Sequence, residues 1–164
     1  MQTKRNQVFK DIMDYFISTG LPVNKPGEHD GLRSFSSEIK QGEIILRILV
    51  VFDQVEEAVV VSAGFSHGVP RENRPAVVEL LNFIHHYLDT GHYTLDQETG
   101  GVVIRDGIFV VDEKLNKKEF SRFFKKLIND AYVFFPLILD QGYSAKRPAE
   151  MIAEFLEKTK HIQK

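Results

Sequence analysis

Residues 43–63 read EIILRILVVFDQVEEAVVVSA. Two runs dense in Ile, Leu and Val, 43–52 and 58–63, flank the turn-forming segment Asp53-Gln54-Val55-Glu56. Neither run is long enough for a buried helix, and β-branched residues favour a pleated backbone, so the stretch predicts a β-hairpin. In the first run Ile44, Leu46, Ile48, Val50 and Phe52 share one face, while Ile45, Leu49 and Val51 share the other with Arg47. That pattern predicts a central strand covered on much of both faces. Upstream, residues 33–39 alternate loosely and join the hairpin through Lys40-Gln41-Gly42, which predicts three antiparallel strands in succession.

Outward from this meander the period changes from two to three and four. Val8, Ile12, Tyr15 and Phe16 form the apolar stripe of a helix over residues 3–19, with Gly20 placed to end it. Residues 22–31 are rich in turn formers and are expected to be a loop, open to use as a lid. Val77, Leu80, Leu81, Ile84 and Leu88 predict a second helix over 74–88, capped by Asn73 and carrying Pro75 in its first turn. Two strands, 93–96 and 102–111, are expected around the turn Gln97-Glu98-Thr99-Gly100-Gly101. Asn116 with Glu119 three residues on marks the start of a long helix, which Pro136 is expected to kink or end. A last helix over 149–158 carries Met151, Ile152, Phe155 and Leu156. The order α-β-β-β-α-β-β-α-α, with strands in blocks, predicts an α+β fold built on an antiparallel sheet with helices packed on it.

The chain has 164 residues, 43% of them apolar, which suits a single domain spanning residues 1–164. Lys and Arg number 21 against 23 Asp and Glu, a net charge of −2, so polyanion binding is not expected and nucleic acid is a poor partner. The absence of cysteine removes disulfides, thiolate metal sites and cysteine nucleophiles, and favours the cytoplasm over an oxidising compartment. No apolar run approaches a membrane span, and no cofactor-binding motif is present.

Three stretches carry a family resemblance. Val69-Pro70, then Val77-Val78-Glu79-Leu80-Leu81-Asn82, then residues 91–102 (GHYTLDQETGGV) resemble the YbjN family of bacterial sensory-transduction regulators. Phe134-Phe135-Pro136, near the end of the long helix, extends the likeness. The resemblance implies a fold similar to type III secretion chaperones, frequent homodimers and a non-enzymatic role, and it brings no catalytic residues.

Several side-chain groups are candidates for chemistry or binding. Gly64-Phe65-Ser66-His67-Gly68 satisfies G-x-S-x-G, and Asp140 and His161 follow in the order of a Ser-Asp-His triad. A hydrolase places that serine on a strand-to-helix turn of βαβ units. Here a meander precedes it and Val69-Pro70 delays the helix, so a surface loop serine is the better reading. His85, His86 and His92 with Asp89 cluster near one helix end, but adjacent histidines point about 100° apart and no tight ligand spacing exists, so no metal is assigned. Lys117, Lys118, Arg122, Lys125 and Lys126 form a basic stripe that Glu113, Glu119 and Asp130 balance. The aromatics of the same helix exceed one narrow stripe, which leaves Phe123 and Phe135, with Lys118, Arg122 and Lys125, as a candidate partner or dimer surface. The strand at 102–111 is a second candidate, as an edge open to another chain.

These residues favour a non-catalytic, homodimeric adaptor or chaperone-like regulator that binds another polypeptide. A small-ligand sensor domain is the alternative, and a serine hydrolase using Ser66 is a remote one.

Overall fold

The computed structural model describes residues 2–159 apart from Glu43, Ser66 and Glu113. The elements run α1 (Gln2–Ser18), β1 (Asn24–His29), β2 (Leu32–Gln41), β3 (Ile44–Asp53), β4 (Ala58–Phe65), α2 (Arg74–His85), β5 (His92–Leu95), β6 (Val102–Phe109), α3 (Lys117–Tyr143) and α4 (Pro148–Thr159). The strands form one antiparallel sheet in the order β1-β2-β3-β4-β6-β5. This is the expected α+β architecture with one strand more.

The additional strand is β1, in the segment expected to be a loop. Its residues are all exposed, so no apolar alternation announces it. Asp30 and Gly31, at φ 49° and 78°, supply the two left-handed positions of a tight hairpin turn joining it to β2. Pro26 is tolerated because β1 lies at the sheet edge. Side chains tie the strand down: Glu28 accepts hydrogen bonds from Arg33 at 2.8 Å and Gln54 at 3.1 Å.

The β2-β3-β4 meander is the one the sequence predicts, with Asp53, read as the first turn residue, ending β3 opposite Ala58. Asp53 shapes the turn, its Oδ1 accepting from the backbone N–H groups of Val55 and Glu56. Leu46, Ile48, Val50 and Phe52 are buried, but Ile45 is 37% and Leu49 47% exposed. Helices thus cover one face of β3 rather than much of both, as an antiparallel sheet permits.

Helix α1 lays Val8, Phe9, Ile12 and Phe16 on that covered face, where Phe9 and Phe16 meet Phe35 edge-on. It ends as expected at Gly20, φ 76°, with Leu21 N–H donating to Phe16 O and Gly20 N–H to Ile17 O. Asn73 does not cap α2; its side-chain amide donates to Gly142 O instead, and Pro75 sits in the first turn as predicted. Asn116 does cap α3, accepting from Lys118 and Glu119 N–H groups. Pro136 does not end α3, which continues to Tyr143. The helices and the inner sheet face share one continuous apolar cluster.

Candidate functional site at a half-open sheet edge

Gly91, at φ 78°, turns the chain into the sheet so that β5 begins opposite Arg105. β5 has only four residues and pairs with β6 over residues 102–105. Beyond Arg105, β6 keeps β4 on one side and, among the described residues, has no strand on the other. Two hydrogen bonds set the phase of its backbone: Val110 N–H donates to Glu57 O, and Asp96 N–H donates to Gly101 O. Antiparallel ladders alternate, so even residues of β6 bond toward β4 while Gly107 and Phe109 direct their main-chain groups to the vacant side. The Gly107 N–H is taken by Asp106 Oδ1 at 2.7 Å. Among the described residues the Gly107 carbonyl and both polar groups of Phe109 have no hydrogen-bond partner.

A trough runs beside this edge. One cavity of ≈ 420 Å³ lies between Gly107, Ile108 and Thr90 on the sheet side and Arg122, Phe123 and Lys126 on α3. A second of ≈ 420 Å³ follows along Phe109, Val111, Leu115 and Asn116, and shares Ile108 and Glu119 with the first. A third of ≈ 260 Å³ adds Lys118 and shares Glu119 and Arg122. Phe109 is 77% and Val111 70% exposed, an apolar lip that ordinary solvation does not favour. Lys126 is paired with Asp130 at 2.7 Å, whereas Lys118 and Arg122 have no ion pair among the described residues.

The structure therefore brings together three of the five predicted surface residues: Phe123, Lys118 and Arg122. Lys125 faces a different cavity on the opposite side of α3. Phe135 is not a surface residue. It is 1% exposed, with its ring 4.0 Å from that of Phe65 and 5.4 Å from that of Tyr93. At position 135 the helix faces β4 and β5, so the extra aromatic is consumed by the sheet. The predicted edge at 102–111 is half right in extent, since β6 is interior until β5 ends. The positive φ of Gly91 helps set where that happens, and an isolated glycine after a helix was the sequence signal of it.

Among the described residues no three His, Cys, Asp or Glu side chains gather in a metal-binding arrangement. His85 serves the sheet instead, its Nε2 accepting the Tyr93 N–H at 2.9 Å and so fastening β5 to the end of α2. Burial holds this imidazole below its ordinary value of 6.5, and nearby His92 and His86 act in the same direction. Only the neutral ring accepts that bond. The unfolded chain therefore binds the proton more readily, and the stabilisation is complete above about pH 6.5 and lost as pH falls below it. The thermal midpoint of the wild type is expected to drop further between about pH 7.5 and 5.5 than that of His85→Gln, which accepts without titrating. Equal drops would remove His85 from this role. Tyr93 anchors the same strand from its side chain, donating its hydroxyl to Asp130 O at 2.9 Å.

Ser66 and His161, two members of the hypothetical triad, lie outside the described residues. Asp140 is exposed on α3. The strand before Ser66 belongs to an antiparallel meander, and residues 67–70 separate it from the turn of 3-10 helix Arg71–Asn73 that leads into α2.

A sheet covered on one face, with a helix set between its fourth and fifth strands and a strand edge beside the last long helix, has the fold of type III secretion chaperones. The crystal structure of the ExsC–ExsE complex is similar to it, with a TM-score of 0.51 and 15% identity over 76% of this chain and 88% of that chain. An uncharacterized protein from Methanothermobacter thermautotrophicus is similar as well, with a TM-score of 0.58 and 11% identity over 80% and 96%. The family model YbjN, described as "Putative bacterial sensory transduction regulator", matches residues 34–140, and the chain belongs to that family. Among curated proteins none matches the sequence. Among the described residues no helix is long and apolar enough to cross a membrane.

Proposed function

We propose that the protein is a non-catalytic, cytoplasmic adaptor that captures an extended segment of another polypeptide along the open half of β6. The observation that carries this reading is the main chain of Gly107 and Phe109, turned to a side where no described strand pairs with it, directly beside the trough that holds Phe123. Strand addition takes affinity from backbone hydrogen bonds and specificity from pockets for alternate side chains. Phe123 and Ile108 provide the apolar floor, and Lys118 and Arg122 provide charge at the rim. That a solved protein of the same fold is held in a two-protein complex supports the reading, as does the family's description as a regulator. Antiparallel pairing of the same edge with a second copy is the homodimer that this surface supports.

The test exploits the phase of β6. Proline at 109 deletes an outward N–H without touching a bond to β4, whereas alanine removes only the ring. Peptides of about 12 residues selected from a displayed library are expected to bind Phe109→Pro at least tenfold more weakly than Phe109→Ala. Equal affinity for the two variants would rule out strand addition at this edge.

A further inference from the structure

A separate cavity of ≈ 500 Å³ lies on the other side of α3, where the end of α1 and the end of β2 approach it. Its apolar lining is Tyr15, Leu21, Phe124, Ile128 and Tyr132. Thr19, Gln41 and Asn129 add neutral polar groups, and among the described residues Lys125 is the one charged side chain in the lining. Lys117 and Lys126 of α3 have acidic partners, Asp11 and Asp130, whereas Lys118, on the exposed side of the helix, has no ion pair among the described residues. Lys125 has none, and no carboxylate lines the cavity, among the described residues. The Tyr132 hydroxyl is buried without a hydrogen-bond partner, a cost that a tightly packed wall does not usually carry.

A concave, mostly aromatic and aliphatic wall with few polar groups and one unpaired cation has the make-up of a small-molecule site. Water does not satisfy the apolar floor, and the exposed Lys125 ammonium at its rim favours an anionic head over a cationic one. We propose that this cavity binds a small amphipathic carboxylate, its hydrocarbon body against Tyr15, Phe124 and Ile128 and its anionic head on Lys125. The site is independent of the β6 edge, because Lys125 and Phe123 lie on opposite sides of α3. It makes the protein a ligand-responsive module whether or not β6 captures a peptide.

The probe is sodium octanoate, with octylammonium chloride as the control of equal body and opposite charge. In titrations of isotopically labelled protein, octanoate is expected to shift the amides of residues 15–21 and 124–132 saturably, and octylammonium is not. Lys125→Glu is expected to weaken octanoate at least tenfold and Lys125→Arg to retain it; Lys125 is exposed, so neither change threatens the fold. Three results would overturn the proposal: no saturable shift at millimolar octanoate, equal response to the two amphiphiles, or unchanged affinity in Lys125→Glu. A response to an amphipathic helical peptide but not to octanoate would also overturn it, and would assign the groove to a helix instead. Binding of peptides to the β6 edge is expected to be the same with and without octanoate, so either site can fail alone.

Discussion

Phe135→Ala is expected to lower stability by about 3–5 kcal/mol, whereas Phe123→Glu, twelve residues earlier on the same helix, is expected to leave the urea midpoint nearly unchanged. The ring of Phe135 is packed between Phe65 of β4 and Tyr93 of β5 and is excluded from water. Its removal leaves a cavity that rigid sheet backbone cannot collapse to fill, and it withdraws the contact that ties both strands to α3. A domain of ordinary stability has about 5–15 kcal/mol in total, so the variant should be substantially unfolded at moderate urea. Phe123 is only partly buried, at the floor of the trough, where a carboxylate can reach solvent. Chemical denaturation followed by circular dichroism separates the two. A Phe135→Ala protein as stable as wild type would contradict the packing described for the sheet. A Phe123→Glu protein that unfolds with it would place that side chain in the core instead of the trough.

Gly100→Ala is expected to cost about 2–4 kcal/mol, against little for Gly101→Ala one residue later. Gly100 sits at φ 76°, which disfavours any side chain, and a Cβ there would land on the Val69 carbonyl oxygen and 2.9 Å from the Val69 nitrogen. The approach is close because Val69 N–H donates to Gly100 O at 2.8 Å. Val69 is in turn buried against Gly142 near the end of α3, so the clash would be transmitted to the junction of turn, loop and helix. A Cβ at Gly101 would meet only the Thr99 hydroxyl, at 3.3 Å. Parallel urea titrations of the two variants give the answer, and equal losses would mean that chain flexibility rather than the Val69 contact is what the glycine supplies. Val69-Pro70 and Gly100-Gly101, far apart in sequence, are one joint in space.

The elements legible in the chain were those whose signal is local. The Leu, Ile and Val runs of β3 and β4, the stripe of α2, the Asn116 cap and the Gly20 stop each depend on residues within a turn or two of one another, and each is where its pattern put it except the end of α2, which stops at His85 and leaves Leu88 beyond it. The misread elements fail for a common reason. β1 has no buried residue, so periodicity has nothing to report, although Asp30-Gly31 is a hairpin dipeptide that turn chemistry alone would have recognised. Of the two outcomes expected at Pro136, a kink or an end, the end does not occur: Pro136 is exposed on α3, whose packing through Phe134, Phe135 and Ile138 outweighs the missing hydrogen bond. Asn73 had the right residue type for a cap, but Gly142, sixty-nine positions away, claims its side chain.

The same division governs the candidate site. Lys118 and Arg122, at i and i+4, share a helix side, so their grouping could be read from the sequence, whereas Phe123, one position on, joins them only because the sheet edge lies beside it. Phe135 could not be assigned, because a surplus of aromatics on one helix says that some other element must cover them without saying which.

By itself the sequence determined the class of fold, the antiparallel meander at its centre and most helix boundaries, since hydrophobic period and capping residues act over one or two turns of chain. Tertiary structure alone decided that only one sheet face is covered, that β5 stops early enough to leave β6 half open, and that Lys125 lines an apolar cavity across α3 from Phe123. Those features depend on which distant segments come to lie side by side, and no local pattern of residues records what is missing from the next position in a sheet.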